Sequence, residues 1–319
     1  MDPLSDILTL LKPRSTVSAG FDAGGDWSVD FPAYAGIKFN AIVTGRCWLA
    51  LDGLPEALRL EAGDCFLLPQ GRPFRLASDL SLPSIASDTV FTQARHGGIA
   101  RLNGGGDFFL AGARFALSGH HAGLLIEALP PIVHIRKEAD QTTLRWLLDR
   151  MQQELRDPQP GSSLVTRDLA QMMLIQALRL HLGTATGATG WLSALADKQM
   201  AQAIAAMHAD PARRWTVGDL AAGVGMSRTA FAVRFKRLAG ISPIDYLTRW
   251  RMSLAGERLR ARTQPTADIA AQLGYDSDSA FGAAFKRVMG CAPRQYGNIP
   301  RAEVTRPAAQ ISPRYSETS

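Results

Sequence analysis

The sequence predicts an α+β multidomain chain, with an N-terminal β-barrel and flanking helices followed by an all-α domain of two helix-turn-helix units joined by a long helix. Three observations predict it. One helix-period pattern is written twice between Asp219 and Tyr296. Short alternating apolar runs, broken by Gly, Pro and Asp, fill Asp26 to about Phe115. Basic charge is concentrated late in the chain: Trp191 to Pro300 holds 15 Lys plus Arg against 8 Asp plus Glu, whereas Met1 to Gly190 holds 17 against 19.

The two copies are DLAAGVGMSRTAFAVRFKRLAGISPIDY (Asp219 to Tyr246) and DIAAQLGYDSDSAFGAAFKRVMGCAPRQY (Asp268 to Tyr296). Phe231, Phe235, Lys236, Arg237, Gly240, Pro243 and Tyr246 recur 50 positions later at Phe281, Phe285, Lys286, Arg287, Gly290, Pro293 and Tyr296. Upstream the offset is 49, so the second copy carries one extra residue in the turn around Asp276 to Asp278. Each copy reads as helix, turn, helix. Asp219 is expected to cap the first short helix, Gly225 to supply the turn, and Ser227 to cap the second helix. In that second helix Phe231, Phe235 and Leu238 form the expected buried stripe, with Thr229, Ala232, Val233 and Lys236 opposite. The later copy is expected to bury Phe281, Phe285 and Val288 and to expose Ser279, Gly282, Ala283 and Lys286. Between the copies Pro243 opens a helix, Ile244 to Arg262, of about 30 Å at 1.5 Å per residue.

That length is close to the roughly 34 Å between successive major grooves on one face of B-DNA, so two helices of one chain can address adjacent grooves. A repeat-built helical domain used only for packing is the plainer reading, and the local basic charge weighs against it. At these residues, Trp191 to Tyr296, the chain resembles the AraC family of bacterial transcription regulators, through two complete copies that include GYDSDSAFGAAFKR and GCAPRQY. The resemblance implies binding to double-stranded DNA. The candidate contact residues are Ser227, Arg228, Thr229, Ala232, Val233, Lys236 and Arg237 in the first unit, and Ser277, Asp278, Ser279, Ala283, Lys286 and Arg287 in the second. Thr229, Ala232 and Val233 offer methyl groups suited to thymine, and Arg228 is the best placed polar contact. The family often has an arginine where this chain has Ala283, so the first unit is expected to carry more of the sequence reading. The second is expected to contribute mainly phosphate contacts through Lys286 and Arg287.

In the barrel region Ile37, Phe39, Ala41 and Val43 alternate up to a hairpin turn at Thr44-Gly45, after which Cys47, Leu49 and Leu51 alternate. A second strand pair is marked by Leu58 and Leu60, the turn Ala62-Gly63-Asp64, and Phe66 to Leu68. With DWSVDFPA, GRCWLAL, AGDCFLLPQG and EALPPIVHI, this part resembles the cupin barrel at the N-terminus of one AraC subgroup. Cupins can hold a divalent metal on a histidine cluster. Here Asn40 and Phe74 stand at two of the expected histidine positions, and neither replaces an imidazole, so no metal or other cofactor is expected. His120 and His121 are adjacent, and His96, His134, His181 and His208 have no ligand spacing, so structural or surface roles are expected for all six. A small effector is the alternative occupant of the barrel. Its candidate lining is Trp27, Phe39, Asn40, Trp48, Phe66 and Phe74, although these aromatic residues equally well fill a core.

Cys47 and Cys65 in the barrel raise a redox sensor as an alternative, but no flanking charge cluster lowers either pKa, and buried apolar packing is the plainer role. Three cysteines fit a reducing cytoplasm. Met1 to Lys12, with Leu4, Ile7, Leu8 and Leu11 at helical spacing and no cleavage-site pattern, reads as a docking helix, and no apolar run is long enough to span a bilayer. Gln141 to Leu155 and Leu164 to Leu182 read as amphipathic helices around a DPQPGSS turn. Their apolar stripes are Leu144, Leu147, Leu148 and Met151, and Leu169, Met172, Met173, Gln176 and Leu180. They pack on the barrel or pair with a second copy of the chain; a homodimer stays open. The expected division is residues 1–182 for the sensor or dimerisation domain, 183–190 for a flexible linker, 191–298 for the DNA-binding domain and 299–319 for a disordered tail. No nucleophile-and-base motif or phosphate-cradling loop is present, since Gly104-Gly105-Gly106 lacks the Lys and helix of a P-loop. The reading is a cytoplasmic transcription regulator and not an enzyme, with an unidentified small-molecule effector. The family resemblance implies activation through contact with RNA polymerase. A cupin enzyme fused to a DNA-binding domain is the alternative.

Overall fold

The computed structural model describes residues 2–11, 13–92, 94, 98–117, 126, 129–136, 142–184 and 190–298. Helix α1 (Pro3–Leu11) leads into strands β1 (Arg14–Ala23), β2 (Ser28–Phe31), β3 (Ile37–Thr44), β4 (Arg46–Leu51), β5 (Leu58–Glu61), β6 (Cys65–Leu68), β7 (Phe74–Ala77) and β8 (Ile85–Ala86). A single turn, α2 (Ser87–Val90), then precedes β9 (Gly98–Leu102), β10 (Phe108–Ala116) and β11 (Val133–Ile135). The strands form two facing sheets, in the orders β11-β6-β3-β10-β1-β9 and β5-β4-β7-β2-β8.

The expected strands are present, but the two expected hairpins are not. β3 and β4 meet at Thr44-Gly45 yet lie in different sheets, as do β5 and β6 on either side of Ala62-Gly63-Asp64. The actual partners are β4 with β5 and β3 with β6. Both turns carry the chain between sheets at one end of the barrel and lean on each other: the Ala62 amide donates to the Gly45 carbonyl at 2.9 Å and the Gly63 amide to Ile42 at 2.8 Å. Period-two alternation fixes which side chains share a face, and leaves open which strand is the neighbour.

That alternation gives β3 two distinct sides. Ile37, Phe39 and Ala41 join a core on the outer face of the sheet, while Ile42 and its inward neighbours face the barrel interior with Phe21, Trp27 and Phe66. Helices α3 (Thr142–Arg156) and α4 (Ser162–Thr184) cover the outer face, packing on β1, β9, β10 and β11. On α3 Leu144, Leu147, Leu148 and Met151 are buried as expected. On α4 the stripe is Ala170, Met173, Leu174, Ala177 and Leu178, with Leu169 beside it, whereas Met172 is exposed and Gln176 and Leu180 are half-buried. The i, i+3, i+4, i+7, i+8 phase wins because it brings the small Ala170 and Ala177 against the sheet. Gly183 belongs to α4; residues 185–189 of the expected linker and the expected tail, 299–319, lie outside the described residues, as do His96, His120 and His121.

The second half is helical: α5 (Trp191–Ala196), α6 (Lys198–Ala209), α7 (Val217–Gly223), α8 (Arg228–Ala239), α9 (Pro243–Ala261), α10 (Thr266–Gln272), α11 (Asp278–Met289) and α12 (Pro293–Asn298). Its cores are unevenly shared. Leu220, Phe231, Phe235, Tyr246 and Trp250 belong to one continuous apolar cluster with α1, α3, α4 and the outer face of the barrel. Met252, Leu259, Ile269, Phe281, Phe285 and Tyr296 form a separate cluster. The link is α1, which does dock: it packs on α6 and α9, with Leu4, Ile7, Leu8 and Leu11 buried.

At that contact His208 stacks on Trp250 with ring centroids 3.8 Å apart. Its Nδ1 lies 3.1 Å from an Asp6 carboxylate oxygen and its Nε2 lies 2.9 Å from the Tyr246 hydroxyl. A neutral ring satisfies both partners, with Nδ1–H donating to Asp6 and Nε2 accepting from Tyr246. Burial pushes the imidazole below its ordinary range, against the pull of Asp6. The unfolded chain therefore takes up the proton first, near pH 6.5, and stability present above that pH falls as the solution is acidified toward the lower folded value. The thermal midpoint of the wild-type chain is expected to drop between pH 7.5 and 5.0 more steeply than that of a His208→Gln variant, as read by scanning calorimetry of both. Parallel pH profiles would remove His208 from the account.

Candidate nucleic-acid interface and barrel cavity

The two helix-turn-helix units are built by the same local chemistry. Ser227 and Ser277 cap α8 and α11, their hydroxyls accepting from the amides of Ala230 and Ala280 at 3.3 Å. Both helices end on a glycine at φ 78° or 79°, Gly240 and Gly290, whose amide donates to Lys236 or Lys286. Phe231 and Phe235 lie 5.7 Å apart by ring centroids, as do Phe281 and Phe285. Phe235 meets Tyr246 edge-on, and Phe285 meets Tyr296 in the same way.

Three local expectations are corrected. Thr216, not Asp219, caps α7: Thr216 Oγ1 accepts from the Asp219 amide at 3.1 Å, while the Asp219 carboxylate accepts from the Thr216 amide at 3.0 Å. This reciprocal box satisfies two helix-end donors where a cap at Asp219 would satisfy one. The buried stripes close on Ala239 and Met289, with Leu238 and Val288 half-buried, because i, i+4, i+8 keeps the Phe pair and the last apolar residue on one line. Ala232 and Gly282, expected on the exposed stripes, are half-buried.

The outward faces differ between the units. Arg228, Thr229, Val233, Lys236 and Arg237 are exposed on or beside α8, and Asp278, Ser279, Ala283, Lys286 and Arg287 on α11. Val233 is 64% exposed, so its methyl groups are open to a partner on this face. Among the described residues none of Arg228, Lys236, Arg237, Lys286 and Arg287 makes an ion pair. Arg234 is different: its Nε donates to Asp197 at 3.0 Å and its Nη1 to Gln199 at 3.0 Å, which ties α8 to the start of α6. Asp197 is itself the cap of α6. The sequence carried no signal for this clamp, because the partners are 37 and 35 residues apart.

The extra residue of the second copy is Asp276, and it lies where the units touch. Asp276 pairs with Arg214 from the loop between α6 and α7. Arg251 of α9 donates to the carbonyls of Pro211 and Arg213 in the same loop. Gly274, at φ 79°, approaches the loop so closely that a Cβ there would sit 2.2 Å from the Ala212 carbonyl oxygen.

Inside the barrel a cavity of about 410 Å³ opens between the sheets. Of the predicted lining, Asn40 and Phe74 border it. Trp27 and Phe66 are packed in the inner core away from it, Phe39 faces the helix-covered side, and Trp48 is on the outer surface. Phe39 and Trp48 fail for one reason, since each occupies the strand register that points out of the barrel. The cavity also takes Lys38 and Arg114, which face each other across β3 and β10. Sequence reasoning missed both; Lys38 shares the inward register of Asn40, the signal that would have found it. Cys47 and Cys65 are buried in different clusters, and burial pushes both thiols well above their ordinary range. A raised thiol pKa works against the thiolate through which cysteine reacts. His134 lies 3.2 Å from Asp64, a contact between β11 and the Asp64 turn. Among the described residues no three His, Cys, Asp or Glu side chains gather as a metal site.

Paired helix-turn-helix units on one long helix, with exposed unpaired cations and a β-barrel docked behind them, define a two-domain DNA-binding regulator. A cupin family model matches residues 2–183 and a helix-turn-helix domain model matches residues 220–298. The chain is 45% identical over 302 residues to a putative AraC-like transcription regulator of Streptomyces lividans, covering 94% of this chain and 99% of the relative. It is 28% identical to the HTH-type transcriptional regulator AlkR of Acinetobacter baylyi, over 93% of this chain and 99% of that one. It is 29% identical to the RCS-specific HTH-type transcriptional activator RclR of Escherichia coli, over 93% and 97%. The chain belongs to the AraC family of transcription regulators, with an N-terminal cupin domain and a C-terminal helix-turn-helix DNA-binding domain.

Gly225 and Gly274 test the asymmetry of the two turns. Both have positive φ, which costs a side chain about 1–2 kcal/mol, but a Cβ at Gly225 meets nothing within 4 Å. Gly225→Ala is expected to lower stability by about that amount, and Gly274→Ala by clearly more, because it must also displace the Ala212 carbonyl. Equal shifts in thermal midpoint would contradict the contact.

Proposed function

We propose that the chain recognises a specific operator by placing α8 and α11 in adjacent major grooves, and that the barrel cavity holds a small effector that controls this binding. The observation that supports it best is the duplicated capping and packing of α8 and α11, each presenting an exposed Lys-Arg pair beside a helix face. Helix α9, at 19 residues, is about 28 Å long, near the groove repeat. Arg228, Thr229, Ala232 and Val233 read bases, chiefly thymine methyls, with Lys236 and Arg237 on phosphate. On α11, Lys286 and Arg287 hold phosphate, and Ser279, Asp278 and Ala283 read little. Ser227 and Ser277 serve mainly as caps.

The regulator works in the cytoplasm as an activator that contacts RNA polymerase, in line with the activator named among its relatives. It forms a homodimer through α3 and α4, where Trp146 is 60% exposed and Met172 48% exposed on the outer surface. Light scattering at micromolar concentration should give a dimer for the wild type and a monomer for Trp146→Glu with Met172→Glu; a wild-type monomer with and without DNA would sink the dimer.

Separate disruption of the two faces tests the reading of DNA. Thr229→Ala with Val233→Ala should flatten sequence discrimination by about 1–3 kcal/mol per base position lost. Lys286→Ala with Arg287→Ala should weaken binding to all sequences alike and reduce the salt slope of binding by about 2. Equal loss of discrimination from both double variants would contradict the division of labour.

A further inference from the structure

The barrel cavity has a polarity that the effector proposal leaves unspecified. Its walls are apolar, from Phe21, Phe74, Leu76, Phe91 and Leu110, and its donors Lys38, Asn40 and Arg114 share one patch of the β3–β10 ladder, with Ser87 and Asp88 facing the cavity from α2. Lys38 lies opposite Arg114, and Asn40 opposite Gly112. The Lys38 ammonium is held 4.5–4.7 Å above the rings of Phe31, Tyr34 and Phe74, and among the described residues no carboxylate comes within ion-pair distance of it.

Asn40 adds an independent observation. It is 8% exposed, borders the cavity, and its side-chain Nδ2 is buried without a hydrogen-bond partner. A buried donor left unpaired costs about 1–3 kcal/mol, so a ligand acceptor is the natural complement. The opposite strand makes room for this amide: a Cβ at Gly112 would lie 2.8 Å from Asn40 Oδ1, and glycine within a strand often marks such a close approach. The charges also count. Among the described lining residues, Lys38 and Arg114 are cationic and Asp88 is the carboxylate.

We infer that the cavity binds a small organic monoanion, a carboxylate on an aryl or medium-length alkyl body, with Lys38 and Asn40 gripping the carboxylate and the aromatic wall holding the body. Arg114 adds positive potential and Asp88 limits the site to a single negative charge. This rests on the effector reading of the barrel and names the ligand class. The volume of about 410 Å³ lies in the range that encloses such molecules. Burial, reinforced by Arg114 and opposed by Asp88, pushes the Lys38 ammonium down to about 8. A bound anion would raise it again, so binding should weaken as pH rises through about 8.

The test is calorimetric titration of the full-length protein with benzoate, phenylacetate and octanoate, and with the corresponding neutral primary amides. The expected result is saturable binding of at least one carboxylate, with its amide about ten- to a hundredfold weaker. Lys38→Met and Asn40→Asp should each weaken the carboxylate by a similar factor, and Lys38→Arg should keep most of it. Asn40→Asp, nearly isosteric, guards against a Lys38 variant that fails to fold. Amide and carboxylate binding equally, or none of the six probes binding, would overturn the inference. Carboxylate binding with no change in DNA affinity would leave the ligand class standing and refute the effector reading instead.

Discussion

Helix α9 is the constraint on which the arrangement depends, because one helix is buried in two different cores. Tyr246, Leu247 and Trp250 enter the cluster that contains the first helix-turn-helix unit, while Met252, Ala255 and Leu259 enter the cluster of the second. A helix keeps its faces in fixed relation along its length, so the separation and rotation of α8 and α11 follow from how each docks on it. Ser242 and Pro243 fix where α9 starts, and Arg262 in the left-handed region fixes where it stops. The loop between α6 and α7 then braces the assembly from the side, through Arg251, Arg214 and the close approach of Gly274.

The barrel is joined to this scaffold asymmetrically. A continuous apolar core runs from the outer face of β3 through α3, α4 and α1 to Phe231, Phe235 and Trp250, and does not include the second unit's cluster. β3 itself faces both ways, with Lys38 and Asn40 toward the cavity and Ile37, Phe39 and Ala41 toward the helices. One strand therefore separates the cavity from the core that reaches α8. Packed interiors pass on displacement because they have little free volume. The Asp6, His208 and Tyr246 contact places a polar, geometrically demanding node in that path.

Much of this was legible from the residues. The duplication, the turn glycine Gly225, the Ser227 cap and the extra residue near Asp276 are local features, and local features are written at fixed spacing. The docking of α1 is legible in its apolar stripe, though not its target. What the sequence hid was long-range. Alternation located β3, β4, β5 and β6 and mispaired them, because neighbours in a two-sheet barrel are chosen by sheet crossing at Gly45 and Gly63. The cavity lining was sought among aromatic residues, of which only Phe74 borders it along with Asn40. Lys38 went unread because a lysine in a half-apolar strand suggests a solvent face, whereas here that register points inward under three rings. Among the described residues Arg234 has no local partner, and its clamp is made by Asp197 and Gln199 from the start of another helix.

The central claim is that one chain reads two successive grooves from a single rigid helix. It is tested most directly by exposing genomic DNA fragments to the purified full-length protein, sequencing the bound pool, and footprinting the recovered sites. The account predicts a shared site per chain with two protected blocks on one face of the duplex, one helical turn apart, and stronger base preference in the block under α8. A single protected block per chain, or weak binding with no shared sequence in the presence and absence of barrel ligands, would contradict it.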